Sequence, residues 1–227
     1  MTKKTLLFVL LLLSSSIYSQ INEIGIFLGG SNYIGDLGPT TYLAPEKLSW
    51  GFVYKWNKSP RHAFTLSYTD ATIASNDGNA DQASRKLRGF DFENNIKELS
   101  LGLEFNFFEF DLHQYENQTT PYIRSGLNYF RYTSLFFNDK QALNYERRGS
   151  LAIPIVLGIK TRLNRRLILA FEAGARYTFI DDLDGSRARN KDLGQENFGN
   201  FNNNDWYVFS GVTLTYTFGK KTCYCAQ

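Results

Sequence analysis

Apolar and polar residues alternate along most of this chain. From Leu151 to Lys160, Leu151, Ile153, Ile155, Leu157 and Ile159 interleave with Ala152, Val156, Gly158 and Lys160. Beyond Asn164-Arg165-Arg166, Leu167, Leu169, Phe171, Ala173, Ala175, Tyr177 and Phe179 share one face. Ala170, Glu172, Gly174, Arg176 and Thr178 share the other. A period of two sends successive side chains to opposite sides of an extended backbone, so the pattern predicts two long strands in a β-hairpin.

The same reading gives further strands around Ile24–Leu28, Leu48–Trp56, Ala63–Thr69, Glu98–Phe107, Ile123–Tyr129 and Trp206–Phe218, eight in all. Polar, Gly-, Asn- and Asp-rich stretches separate them. The long ones are predicted at Gly35–Lys47, about Ile73–Asn94, about Ser134–Gly149 and Asp181–Asp205. They alternate with short ones at Asn57–Pro60, Asp111–Thr120 and Asn164–Arg166. Strict long–short alternation over an even number of strands predicts an all-β fold: an eight-stranded antiparallel up-and-down transmembrane barrel with short periplasmic turns and long extracellular loops.

Which face points inward follows from residue size. One face is apolar on every strand, with Trp and Tyr near the ends, as in interfacial girdles. The other carries Gly51, Gly102, Gly126, Gly158, Gly174 and Gly211 among Ser, Thr and charged residues. An eight-stranded lumen is only wide enough to be filled by side chains, so the small and polar face belongs inside. Lys55, Glu98, Glu104, Arg124, Lys160, Glu172 and Arg176 then project into that space. They are expected to pair across strands as a salt-bridge plug, since an unpaired buried charge is expensive. Pro154 falls on the inward face in mid-strand, where a bulge or a missing ladder bond is expected.

Composition narrows the function classes. Aromatic residues make up 16% of 227 positions, as suits strands, and the net charge is only +3 with no segregated basic stripe. Nucleic acid is therefore not an expected partner. A mean hydropathy of −0.33 excludes a bundle of membrane helices but not a barrel. Lys3 and Lys4, the apolar run Leu6–Leu13 and Ser14–Ser16 have the order of a cleavable signal peptide covering residues 1–19. The barrel would occupy residues 20–219 and a periplasmic tail residues 220–227, in the outer membrane of a Gram-negative cell, with outer-membrane lipids around it.

Candidate chemistry is sparse. The two histidines, His62 and His113, fall near the short-turn end without a triad-like grouping, so no catalytic set is assigned. Asp181, Asp182, Asp184 and Gly185 lack the spacing of a calcium loop and are read as a solvated turn. No metal or cofactor is expected. Cys223 and Cys225, two residues apart, could close only a strained ring with each other; otherwise at least one is a candidate for an intermolecular disulfide.

The run Phe171-Glu172-Ala173-Gly174-Ala175-Arg176-Tyr177-Thr178-Phe179, followed by Asp181, Leu183 and Asp184, resembles the signature of PorG-like outer-membrane barrels of Bacteroidetes. Pro154 to Lys160, the Asn164-Arg165 turn and the cysteine-bearing tail look like that family too. The resemblance implies a component of the type IX secretion system. Its partners would be a periplasmic PorK-like lipoprotein and a PorN-like protein, with Cys223 or Cys225 as covalent tether. A surface barrel whose long loops bind a ligand or host component, and a small outer-membrane hydrolase, are the alternatives.

Overall fold

In a computed structural model, residues 21–114, 116–138, 141–186, 198–199 and 204–219 are described. The expected signal segment, the tail with Cys223 and Cys225, and much of the Asp181–Asp205 connection lie outside them. Eight strands form one closed sheet in chain order: β1 (Ile21–Ile34), β2 (Lys47–Asn57), β3 (His62–Asn76), β4 (Asp91–Asn106), β5 (Thr119–Asn138), β6 (Gln141–Arg162), β7 (Leu167–Thr178) and β8 (Trp206–Phe218). All neighbours are antiparallel, and β1 closes the barrel by pairing with β8 from Asn22↔Phe218 to Ile34↔Trp206. No strand is left as an edge, so outside the stretch beside Pro154 the ladder satisfies the backbone without water.

The outward rows are Ile24, Ile26 and Leu28 on β1, Phe52 and Tyr54 on β2, Phe64 and Leu66 on β3, and Leu99, Leu101 and Leu103 on β4. They continue through Ile153, Ile155, Leu157 and Ile159 of β6 to Leu214 and Tyr216 of β8, all exposed. So extensive an apolar surface is not stable in water and marks a nonpolar surrounding. Inside, glycines let the strands crowd together. Gly102 of β4 faces Gly126 of β5, and a Cβ on Gly126 would come within 2.6 Å of the Gly102 Cα. Gly29 and Gly211 meet in the same way across the β1–β8 seam.

Two expected connections are revised. The stretch Ser134–Gly149 is mostly strand: β5 and β6 continue past the apolar band as a tall hairpin, Ser134 opposite Glu146 and Asn138 opposite Gln141. From Leu151 outward, ten residues of β6 extend about 30 Å. A bulge between Ser134 and Leu135 shifts the phase of the alternation, so Leu135 and Phe137 take up the inward side that Tyr132 and Ser134 held. Similarly, β3 runs to Asn76 and β4 begins at Asp91, leaving only a 3-10 turn (Asp77–Asn79) and a short helix α1 (Ala83–Arg88) between. Beyond the band both faces of a strand can be polar, and periodicity loses its signal there.

At Pro154 the β5–β6 ladder pairs Ser125 with Ile155 and next Asn128 with Ala152, in unchanged register. Gly126 and Leu127 are passed over, so the proline costs ladder bonds and causes no bulge. The Ser125 hydroxyl donates to the Pro154 carbonyl at 2.8 Å and recovers one of them.

Gly126→Val should lower stability by about 2 kcal/mol, the cost of overpacking against backbone that cannot give way. A lower urea midpoint by tryptophan fluorescence in detergent micelles, at unchanged slope, is the expected result.

Candidate functional site

The barrel interior has two storeys. Toward the short-turn end, four carboxylates (Glu23, Glu98, Glu104, Glu172) and five cations (Lys55, Arg124, Lys160, Arg162, Arg176) are enclosed, Arg162 at the rim donating to the Asp111 carbonyl at 3.0 Å. At the centre the Glu104 carboxylate, fully buried, receives Lys55 from β2 and Lys160 from β6, each at 2.7 Å. Arg124 of β5 donates to Glu172 of β7 at 3.1 Å, and the Tyr122 hydroxyl donates to the other oxygen of the same carboxylate. Arg176 stands 3.5 Å from Glu98, which also accepts from Tyr207 at 2.6 Å. The barrel thus brings all seven sequence-assigned lumen residues into three ion-paired groups, Lys55–Glu104–Lys160, Arg124–Glu172 and Arg176–Glu98, every pair bridging different strands.

Glu23 was missed. It is completely buried and accepts from Asn57 at 2.9 Å and Thr215 at 2.7 Å. It lies in phase with Gly25, Phe27 and Gly29, so carrying the β1 alternation back one more inward position would have found it.

Aromatic rings close the charged storey on both sides. Below, the β4–β5 connection folds Phe110 and Leu112 against Ile21 and Ile168, with the Lys160 ammonium 4.7 Å from the Phe110 ring centre. Above, Phe27, Phe92, Phe130, Tyr132, Tyr207 and Phe209 belong to one buried cluster, and the Arg176 guanidinium lies 4.2 Å from the Phe209 ring. A cation stacked on a ring face keeps favourable electrostatics where water is excluded.

The long-loop end is capped by two clasps. In one, Arg88 of α1 grips Asp77 with a two-pronged contact (2.7 and 2.9 Å) and donates to the Asp36 carbonyl at 2.9 Å. Arg85 reaches the carbonyls of Gly35 and Gly38, so the β3–β4 connection is tied down onto the β1–β2 connection. Burial alone would raise the Asp77 pKa, but Arg88 and the Gly38 and Phe90 amides outweigh it and hold it below the usual carboxylate range.

In the other clasp, Asp205 accepts from the Tyr33 hydroxyl and from the Leu183 amide at 3.0 Å. Burial and then the neighbouring Asp184 carboxylate push the Asp205 pKa well up, and burial also raises that of Asp184. This corrects the reading of the Asp181–Gly185 turn as solvated: Asp182 and Asp184 are 2% and 0% exposed. The turn folds inward over the mouth, where Tyr132 donates to Asp182 at 2.7 Å and the Ser186 amide to Asp184 at 2.8 Å.

The histidines sit apart. His62 contacts the Ser59 hydroxyl at 3.2 Å, but that oxygen already accepts the Arg61 and His62 amides as part of the turn. His113 contacts Asp111 at 3.0 Å.

The family model for a domain of unknown function, DUF6089, matches residues 3–227. No curated protein matches the sequence. Among solved structures, the chain is similar to the N-terminal β-barrel domain of Pseudomonas aeruginosa OprF, at 11% identity and a TM-score of 0.46, covering 89% of this chain and 99% of that one. It is similar to Ail, the attachment invasion locus protein of Yersinia pestis, in complex with the heparin analogue sucrose octasulfate, at 12% identity and a TM-score of 0.47, covering 88% and 99%. Neisserial surface protein A is similar at 9% identity and a TM-score of 0.45, covering 88% and 95%.

Glu104→Gln should leave two ammonium groups around one neutral amide and cost about 3–5 kcal/mol, while a Lys55→Met/Glu104→Leu/Lys160→Met variant should return to within about 1 kcal/mol of the parent. Urea unfolding in micelles measures both. The folded-state pKa values of Asp205 and Asp184 lie above their unfolded values, so their contribution favours the cap at low pH and is lost as pH rises through the raised values. Hydrogen exchange at the Leu183 amide, corrected for intrinsic rate, should therefore lose protection as pH climbs above the ordinary carboxylate range, and Asp205→Asn should flatten that dependence.

Proposed function

We propose that this chain, which belongs to the DUF6089 family, is a non-enzymatic outer-membrane β-barrel that serves as a membrane anchor for a periplasmic assembly. The observation that carries the reading is a lumen filled with side chains, among the described residues, inside an apolar outer wall. The wall calls for hydrocarbon, while the Lys55–Glu104–Lys160 triad and the aromatic layers above and below occupy the interior. A barrel so filled acts through its ends and its outer surface.

The resemblance of Phe171–Phe179 to the PorG-like signature supports a finer reading. The assembly is then a PorK/PorN-type ring of the type IX secretion system, with outer-membrane lipids around the barrel. β1 begins and β8 ends at the short-turn end, the periplasmic side of an outer-membrane barrel, so a tail leaving Phe218 starts toward such a ring. Cys223 or Cys225 is the tether to the PorK-like lipoprotein, and the exported chain is delivered through its signal segment.

Non-reducing electrophoresis of native membranes should show a mixed-disulfide species that collapses on reduction and is abolished by replacing the tethering cysteine, Cys223→Ser or Cys225→Ser. Only a monomer band, with secretion undisturbed in the double variant, would remove the tether from this scheme.

A further inference from the structure

The outward surface changes character abruptly at the long-loop edge of the apolar band. Tyr68, Leu99, Tyr129 and Leu151 form one row across β3 to β6, each paired with the next. The adjacent row outward, about 7 Å further along the strands, is Asp70, Lys97, Arg131 and Gly149. Lys97 and Arg131 thus stand directly opposite one another, a like-charge cross-strand pair that costs stability unless an anion covers it. Arg147, opposite Thr133, adds a third cation, and Asn95, Lys97, Arg131, Tyr132, Thr133 and Arg147 line a single groove.

The nearby carboxylates are taken. Asp70 lies 3.6 Å from Lys97 and also accepts the Asn95 amide at 2.9 Å. Glu93 is held by Lys47, and Glu146 by Arg148. Among the described residues, neither Arg131 nor Arg147 forms an ion pair, and both are exposed.

We propose that this groove seats the phosphate of a phosphorylated lipid headgroup in the outer leaflet, an inference that rests on the membrane reading above. Guanidinium forks match phosphate oxygens two at a time, which suits Arg131 and Arg147. Position favours a lipid over free phosphate. The cationic row continues without a break into Leu99, Tyr129 and Leu151, so acyl chains can run down the apolar wall while the headgroup meets the cations. Tyr129 leans over Gly149, where any side chain would collide with its ring, and so fills the step between the two rows.

The test uses protein folded in detergent micelles and native mass spectrometry. Diphosphoryl lipid A, the same lipid stripped of its phosphates, and inorganic pyrophosphate are the probes. Arg131→Gln/Arg147→Gln should bind diphosphoryl lipid A about twenty-fold more weakly than the parent. Arg131→Lys/Arg147→Lys should recover only part of that loss, since an ammonium keeps the charge but not the two-pronged fork, and the stripped lipid should bind all three alike. Heat-dependent electrophoretic mobility shows that each variant is folded. Equal affinity of parent and Gln variant for diphosphoryl lipid A overturns the proposal, and displacement of the lipid by an equal concentration of pyrophosphate overturns the choice of a lipid. Flotation with phosphatidylcholine vesicles separates this inference from the one beneath it. A parent that floats yet shows no phosphate preference defeats the headgroup site alone, whereas one that fails to float defeats the membrane reading and this site together.

Discussion

A strand surrounded by hydrocarbon has no water to satisfy its amides and carbonyls, so each must be bonded to a neighbouring strand, and the last strand must return to the first. The β1–β8 seam meets that requirement over thirteen consecutive pairs, from Asn22↔Phe218 to Ile34↔Trp206. Closing only eight strands fixes a narrow cylinder, and the narrowness governs what lies within. Glycine is needed where strands crowd, as at Gly102–Gly126 and Gly29–Gly211. Any charge that points inward must find its opposite a few ångströms away.

The interior meets most of that demand by pairing. Glu98, Glu104 and Glu172 face Lys55, Arg124, Lys160 and Arg176, and hydroxyls of Tyr122, Tyr207 and Thr215 donate to Glu172, Glu98 and Glu23. Buried ion pairs are weak contributors to net stability compared with a well-packed apolar core, so stability is a poor explanation for them. Their effect is to fill the lumen with groups that no small ion can displace cheaply. The aromatic storey above and Phe110 and Leu112 below add apolar layers on either side of the charged one.

The two clasps at the long-loop end use carboxylates in opposite ways. Asp77 is anchored by a guanidinium and two amides, so its charge is stabilised where it sits. Asp205 and Asp184 share their surroundings with each other and with Tyr33, and burial outweighs the hydrogen bonds they accept, so the folded cap favours the protonated forms. Outside, the Lys97–Arg131–Arg147 groove lies where the apolar wall ends, and its cations outnumber the carboxylates that could neutralise them.

Much of this was legible in the chain itself. Wherever one face of a strand meets a nonpolar surrounding and the other a packed lumen, alternation is forced, and so strand positions, inward faces and the charges Lys55 to Arg176 could be assigned by counting in twos. The same argument explains where counting stopped. Beyond the band neither face is obliged to be apolar, so the upper β5–β6 hairpin passed for loop, and the Ser134–Leu135 bulge hid the inward turn of Leu135 and Phe137. Which charge pairs with which, the burial of Asp182 and Asp184, and the alignment of Lys97 beside Arg131 depend on register between strands distant in sequence. Register is set by closure of the whole barrel, and only the tertiary structure could decide it.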